Sequence, residues 1–284
     1  MPCSIQTVLN PADIAALLRV HGIRPSRALG QHFLADPNTA RRIVRLAGIE
    51  AGDRVLEIGP GLGSLTLGLA EAGARVHALE IDRHLMPVLR EVLKDAQEVT
   101  IEQADALTWD YAGLRDGPWA CVSNLPYNVA TPVVIRVLEE APSVEKLLVM
   151  VQHEVGARLA ATPGTKAYGA VSLKVAYHAA ARMVGSVPPT VFMPRPKVDS
   201  VLVAFERRAA PPVDVPSSAR MFELVHAGFA QRRKMLRRAL APTLGDRTEP
   251  VLVAAGIAPT ARAEELDLDA WAAVARSDAV TDAE

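Results

Sequence analysis

Residues 124–127, Asn124-Leu125-Pro126-Tyr127, carry groups that could hold and present an aromatic amine. An exocyclic amino group on a purine is a poor nucleophile, because its lone pair is delocalised into the ring. It reacts better when acceptors hold its two N–H groups and draw the nitrogen toward tetrahedral geometry. The Asn124 side-chain oxygen can accept one N–H. The Leu125 carbonyl can accept the other, because a following proline biases a residue toward an extended conformation and so aims that carbonyl outward. Tyr127 can stack on a base taken out of its helix. With an activated methyl donor no general base is required before attack, and alignment of an in-line displacement is the main task. Taken alone, the same four residues read equally well as a strand ending in an Asn-x-Pro turn.

A second constellation lies upstream. Glu57-Ile58-Gly59-Pro60-Gly61-Leu62-Gly63 follows a strand pattern and opens a helix pattern. Glycines there allow a tight turn and a close approach to a nucleotide. The spacing is G-x-G-x-G, not the G-x-G-x-x-G of dinucleotide binders. Glu80, followed by Ile81, stands 17 residues after Gly63 at the end of the next strand, where a carboxylate can accept from ribose hydroxyls. Asp105, followed by Ala106, comes after the third strand, where it can accept from an adenine amino group. Loop, acid and acid in this order point to a nucleoside-type cofactor. S-adenosylmethionine suits it better than NAD, because it has no phosphates to seat on the helix N-terminus.

These residues need a scaffold of alternating elements. The strand patterns fall at 54–58, 76–79, 99–102, 120–123, 146–151 and 200–205, with a helix over 64–72 and helical stretches between the others. That alternation predicts a parallel, doubly wound α/β sheet. Asn10-Pro11 and Asp36-Pro37 each read as a capped helix start, with stops at Gly22 and Gly48. Residues 209–218 (AAPPVDVPSS) have linker composition. Beyond them only helical patterns occur, over 219–230, 232–241, 249–255 and 260–275. Two domains are therefore expected, 1–208 and 209–284. Trp109, Trp119 and Trp271 read as packing residues.

Composition narrows the class. Half of the 284 residues are apolar, so a sizeable core can form. Cys3 and Cys121 are too few and too distant for a disulfide framework or a thiolate metal site, and the histidines lack metal-ligand spacing. No signal-peptide pattern and no apolar run of membrane-spanning length is visible, so a cytoplasmic protein without metal is expected. The net charge of −1 conceals segregation: residues 19–45 and 220–247 are each +5, and residues 248–284 are −6. Basic clusters can contact phosphates even in a neutral chain, although solvated helix faces are the simpler account of any one charge run.

Taken together these motifs resemble those of the bacterial ribosomal RNA adenine dimethyltransferases, over nearly the whole chain. Gly30-Gln31-His32-Phe33-Leu34 resembles the family's N-terminal cofactor motif, and residues 57–63, Glu80 and Asp105-Ala106 resemble its further cofactor motifs. Residues 124–132 resemble its target-base motif, residues 192–200 a late motif, and residues 229–236 its helical-domain signature. The resemblance implies a Rossmann-like class I methyltransferase domain, with seven strands of which the last is antiparallel, and a small C-terminal all-α domain that docks on the ribosome. It implies S-adenosylmethionine as cofactor, with S-adenosylhomocysteine as product, held by Gln31, His32, Leu34, Glu57, Gly59, Gly61, Gly63, Glu80, Ile81, Asp105, Ala106 and Asn124. It implies dimethylation of N6 on two adjacent adenines near the 3′ end of 16S RNA, with Asn124, Leu125, Pro126, Tyr127 and Phe192 at the target base. Arg195, Lys197, Arg232, Arg233, Lys234 and Arg237 are the expected RNA contacts, the small ribosomal subunit is the expected partner, and a monomer is expected. The chain departs from the family pattern at Ala170, where Arg is common, at His153, where Lys is common, and at the weakly basic residues 27–29. Three alternatives stand beside this reading: methylation of large-subunit RNA, a ribosome-assembly factor whose binding matters more than its chemistry, and a NAD-dependent dehydrogenase.

Overall fold

The computed structural model describes residues 8–26, 29–115 and 117–281; Cys3 and residues 27–28 of the weakly basic stretch lie outside them. Among the described residues the strands are β1 (Phe33–Leu34), β2 (Arg54–Ile58), β3 (Arg75–Glu80), β4 (Val99–Gln103), β5 (Trp119–Asn124), β6 (Val144–Gln152), β7 (Ala179–Val187), β8 (Phe192–Met193) and β9 (Ser200–Arg207). Seven of them form one sheet in the order β4-β3-β2-β5-β6-β9-β7, and β1 pairs with β8 separately. The pairs from β4 through β6 are parallel, and β9 runs antiparallel to β6 from Gln152↔Ser200 to Lys146↔Glu206. This is the Rossmann-like class I methyltransferase architecture expected from the motifs.

The sheet forms because its strands are apolar on both faces. Ala120, Cys121, Val122 and Ser123 are consecutive and all buried in β5, as in a parallel strand covered on both sides. The strand order sets the site. From β2 the chain winds outward through β3 and β4, then crosses back to place β5 against the other side of β2. A crevice opens outside the carboxyl ends at such a reversal, and ligands of open α/β sheets bind there. The glycine loop leaves β2 and Asn124-Leu125-Pro126-Tyr127 leaves β5, so the two chemical motifs of the sequence face one crevice.

Three strands, β1, β7 and β8, escaped the sequence pattern. β7 alternates irregularly between partly buried and exposed residues, as an edge strand does, and β1 and β8 are two residues each. Residues 82–85 form a turn, with the Asp82 carboxylate accepting from the His84 N–H at 2.9 Å, and the helix begins only at Met86.

The chain folds into two compact units. One ends at Gly156 and resumes over Ala181–Arg207; the other takes Ala157–Ala180 and resumes at Arg208. Residues 157–180, read from the sequence as part of the first domain, pack with the second unit, because Tyr168 and Leu173 join the core of Met221, Leu224, Leu252 and Trp271. That unit contains the helices Ala170–His178, Ser218–Ala230, Leu236–Ala239, Ala241–Leu244, Thr248–Ala254 and Leu268–Thr281. The expected helix over 232–241 is broken, with Pro242 near the start of a separate short turn of helix. The last expected helix starts later, at Leu268. Within the unit, Asp278 is 3% exposed and accepts from Arg220 at 2.8 Å and Arg247 at 2.9 Å. Trp271 is fully buried, as its packing role requires.

The helix Pro37–Leu46 follows β1 directly and fixes where β1 lies. Its N-cap is Asp36, which accepts from the Thr39 N–H at 2.9 Å, with proline at the first position. Asp36→Ala is expected to lower stability by about 1 kcal/mol. Urea denaturation checks this, and an unchanged midpoint would show that water replaces the cap at no cost.

Candidate active site

The glycine loop is held by contacts that exclude side chains. Gly59 has φ +71°, and a Cβ there would lie 3.1 Å from Pro126 Cδ, so the loops after β2 and β5 touch. Gly61 has φ +62°, a Cβ there would lie 3.0 Å from Phe33 Cδ1, and its N–H donates to Glu80 Oε2 at 3.1 Å. Gly63 caps the helix Ser64–Glu71 and turns away from the crevice, where a Cβ would meet Leu89, Val92 and Leu93. Gly59 and Gly61 line the crevice and Gly63 does not.

Three acids line the crevice, Glu57, Glu80 and Asp105, and no lysine or arginine does among the described residues. Glu80 is 5% exposed; its Oε1 accepts from the Asp82 N–H at 2.9 Å while Oε2 holds Gly61. Burial pushes its carboxyl up to about 7, against the pull of those backbone donors. Glu57 is 1% exposed. Burial raises its carboxyl to about 8, the neighbouring Thr66 hydroxyl opposes the rise, and the charge of Glu80 adds to it. Glu57 Oε2 and the Ser64 hydroxyl are buried with no partner among the described residues, and both residues line the crevice. Buried polar atoms are normally satisfied, so two orphans on one wall mark a place for a ligand with donors. An acidic crevice without a cation suits a positively charged ligand and repels a pyrophosphate.

On the opposite side Asn124 is oriented by its own amide. Its Nδ2 donates to the His32 carbonyl at 3.2 Å, which leaves Oδ1 as an acceptor. The Leu125 N–H is tied to Met150 O at 3.1 Å. The Tyr127 ring stacks on His32 with centroids 5.3 Å apart, and its hydroxyl lies 2.7 Å from that of Ser200. His32 Nδ1 donates to the Pro194 carbonyl at 2.7 Å. Gln31 donates to Asp82 at 2.7 Å and accepts from the Ser26 N–H at 2.8 Å. Leu34, Ile81 and Ala106 line the same crevice, and Ile81 is half exposed at 50%. Asp105 Oδ1 accepts from the Leu107 N–H at 2.9 Å, and its second oxygen remains for a ligand.

Several expected residues lie elsewhere. Phe192 is 5% exposed, pairs with Leu34 and packs in the main core, so it lines no cavity near Asn124. Its ring belongs to the core cluster that also holds Phe33 and Leu34. Arg232 is committed to Glu264 at 2.6 Å and to the Thr165 carbonyl at 3.3 Å, and Arg237 lies 3.7 Å from Glu249. Arg233 and Lys234 are exposed in the same unit. Arg195 and Lys197 are exposed and rim a second cavity beside the first, which shares Gln31, His32 and Tyr127 with it. Ser64 and Gln152 were not singled out from the sequence. Ser64 follows the last loop glycine, and Gln152 ends β6 beside the motif that ends β5, so position at a strand's carboxyl end was the available signal.

A parallel sheet with this reversal, a glycine loop after the first long strand and acids after the next two define a class I methyltransferase. Residues 23–278 match the ribosomal RNA adenine dimethylase family, and the chain belongs to it. Its relatives include the ribosomal RNA small subunit methyltransferase A of Leifsonia xyli, 49% identical over 92% of this chain and 95% of that protein. That of Streptomyces avermitilis is 46% identical over 95% of this chain and 94% of that protein. Among solved structures, the 23S rRNA methyltransferase ErmE superposes with a TM-score of 0.65 at 29% identity, over 86% of this chain and 98% of that one. A dimethyladenosine transferase from Plasmodium falciparum shares the fold, with a TM-score of 0.70 at 21% identity over 86% and 96% of the two chains. The enzyme is thus an S-adenosylmethionine-dependent ribosomal RNA adenine dimethyltransferase, and the dehydrogenase alternative falls.

The two buried carboxyls set a pH dependence. Each is raised from 4.5, to about 8 for Glu57 and about 7 for Glu80, so the folded chain retains protons that the unfolded chain has released. Their contribution is fully present below the unfolded value and is lost as pH rises through the folded values. Without ligand, stability should therefore fall between about pH 5 and 8. Glu57→Gln is expected to reduce that slope by about 1.4 kcal/mol per pH unit. Denaturation at several pH values measures it, and an identical slope in the variant would mean that Glu57 is ionised in the folded chain.

Proposed function

We propose that this chain dimethylates N6 of two adjacent adenines near the 3′ end of 16S ribosomal RNA, acting as a monomer on the small ribosomal subunit in the cytoplasm. The observation that carries the reading is the Asn124 amide. Its nitrogen is occupied by the His32 carbonyl, so its oxygen is the end available to an incoming amine, at the crevice shared with Glu57 and Glu80. The names of the relatives at close to half identity favour the small subunit over the large. ErmE, more distant in sequence, keeps the large-subunit alternative as an arm of the test.

S-adenosylmethionine fits the crevice by charge and by the orphaned Glu57 Oε2 and Ser64 hydroxyl; when bound, it supplies a methyl group already activated by its sulfonium. Glu57, with the backbone of Gly59 and Gly61, would hold the methionine portion, together with Gln31, His32 and Leu34. Glu80 would accept from the ribose, using the lone pairs that its two backbone donors leave free. Asp105 would accept from the cofactor's adenine amine, with Ile81 and Ala106 against the ring. Asn124 Oδ1 and the Leu125 carbonyl would each hold one N–H of the target amine and turn its lone pair toward the crevice. Pro126 fixes the direction of that carbonyl, and Tyr127 offers a ring face to the extruded base. Once one N–H has become N–CH3, only one acceptor is engaged, so the base must turn before the second transfer. Arg195, Lys197, Arg233 and Lys234 are the exposed cations best able to meet phosphates, and RNA affinity will depend strongly on salt.

The test is transfer of labelled methyl from S-adenosylmethionine to small subunits lacking this modification, with nucleosides separated after digestion. The expected product is N6,N6-dimethyladenosine near the 3′ end. Asn124→Ala should lower kcat on the order of hundredfold, as loss of one group aimed at the reacting atom does elsewhere. Transfer only to large-subunit RNA would replace this reading. No transfer to either RNA, with maturation of small subunits still supported, would leave the assembly role.

A further inference from the structure

The second cavity has a chemistry the first lacks. It is lined by Pro25, Gln31, His32, Tyr127, Gln152 and the loop 194–198. Arg195 and Lys197 bring two cations, and no acid lines it among the described residues. Neither cation forms an ion pair among the described residues, so both are available to an anion. The target amine must meet Asn124 and Leu125, which line only the first cavity. The second cavity therefore lies next to the target base and takes something else, polyanionic and continuous with it.

Gln152 indicates what that is. It is the last residue of β6, two positions beyond Met150, which pairs with Asn124, so it lies about 7 Å further along the sheet. Its backbone pairs with Ser200, whose hydroxyl meets that of Tyr127. Its side-chain amide has no hydrogen-bond partner among the described residues. A glutamine amide matches the adenine edge with two bonds, its oxygen accepting from N6 and its nitrogen donating to N7. Guanine presents O6 and N7 there, two acceptors, and cannot satisfy the amide oxygen.

We propose that the second cavity is a subsite for the nucleotide adjoining the target adenosine, in which Gln152 reads an adenine edge while Arg195 and Lys197 hold the flanking phosphate. The inference rests on the small-subunit reading above and adds to it a residue that selects sequence. It gives a physical reason for an adenine on one side of the target, read while that neighbour still carries an N6–H, since a dimethylated N6 has none to donate to the amide oxygen.

The experiment uses small subunits reconstituted with unmodified RNA in which one or the other of the two adenines is replaced by guanine. Dimethylation of the remaining adenine is measured for the wild type and for Gln152→Ala. In at least one of the two substrates the wild type should show kcat/KM lowered roughly 10- to 100-fold relative to the natural pair. Gln152→Ala should bring that ratio close to one. S-adenosylhomocysteine affinity, measured by calorimetry, should be unchanged in the variant, because Gln152 does not line the first cavity; this separates lost recognition from lost folding. Gln152→Glu, which keeps the acceptor and loses the donor to N7, should fall between. A wild type indifferent to both replacements, or a Gln152→Ala variant with the same penalty as the wild type, would overturn the proposal. A wild type inactive on the natural pair would instead remove the small-subunit reading, and the subsite with it.

Discussion

The site depends on the contact between two loops, the one after β2 and the one after β5. Methyl transfer needs donor and amine aligned and close together. In the reading proposed above one loop serves the donor and the other the amine, which requires that they touch. At Gly59 they do: a Cβ there would lie 3.1 Å from Pro126 Cδ, closer than ordinary contact, and the φ of +71° favours glycine. The parallel register of β2 with β5 supplies the proximity, and the reversal in strand order supplies the crevice. Gly61 repeats the constraint one turn further, pressed on Phe33 and tied to Glu80, so that the ends of β1, β2 and β3 are fixed to one another.

Charge then divides the neighbouring space. The first cavity carries three acids and no lysine or arginine, and the second carries two cations and no acid, among the described residues. Buried carboxyls without a counter-ion are costly when ionised, which is why Glu57 and Glu80 hold their protons so high. A cationic ligand provides the compensating charge that the protein itself withholds. The opposite sign next door suits the phosphodiester backbone of a nucleic acid. Gln31, His32 and Tyr127 belong to both walls, and none of them carries a fixed charge, so the two fields meet at aromatic and amide groups.

Much of this was legible in the sequence. Six strands, β2 to β6 and β9, were readable because short apolar or alternating runs between turn residues stand out, and the loop because glycine spacing records backbone geometry. Asn124-Leu125-Pro126-Tyr127 was readable because proline fixes the residue before it. What escaped was non-local. Phe192 sits in a motif beside the site, yet its pairing with Leu34 across the chain buries it in the core. Arg232 looks like any other member of its basic run until Glu264, 32 residues away, claims it. Residues 157–180 run up to and into the start of β7 but are grouped with the second unit, and no composition shift marks the point where they leave.

His32 shows how a single residue can join these levels. Its carbonyl holds the Asn124 amide nitrogen and so decides which end of that amide is left as an acceptor. Its ring lies on Tyr127, and its Nδ1–H is taken by Pro194 in the loop that also carries Arg195 and Lys197. A carbonyl only accepts, so Nδ1 must be the protonated nitrogen and Nε2 the remaining acceptor when the ring is neutral. Backbone, ring and ring nitrogen thus connect Asn124, Tyr127 and the cationic loop. The loop 194–198 thus meets the His32 ring, while the Asn124 orientation rests on the His32 backbone, and the pairing of Phe33 with Met193 ties the same two segments together. The two geometries that the proposed reading needs, one to hold the amine and one to receive its strand, therefore converge on one short segment between Gly30 and β1.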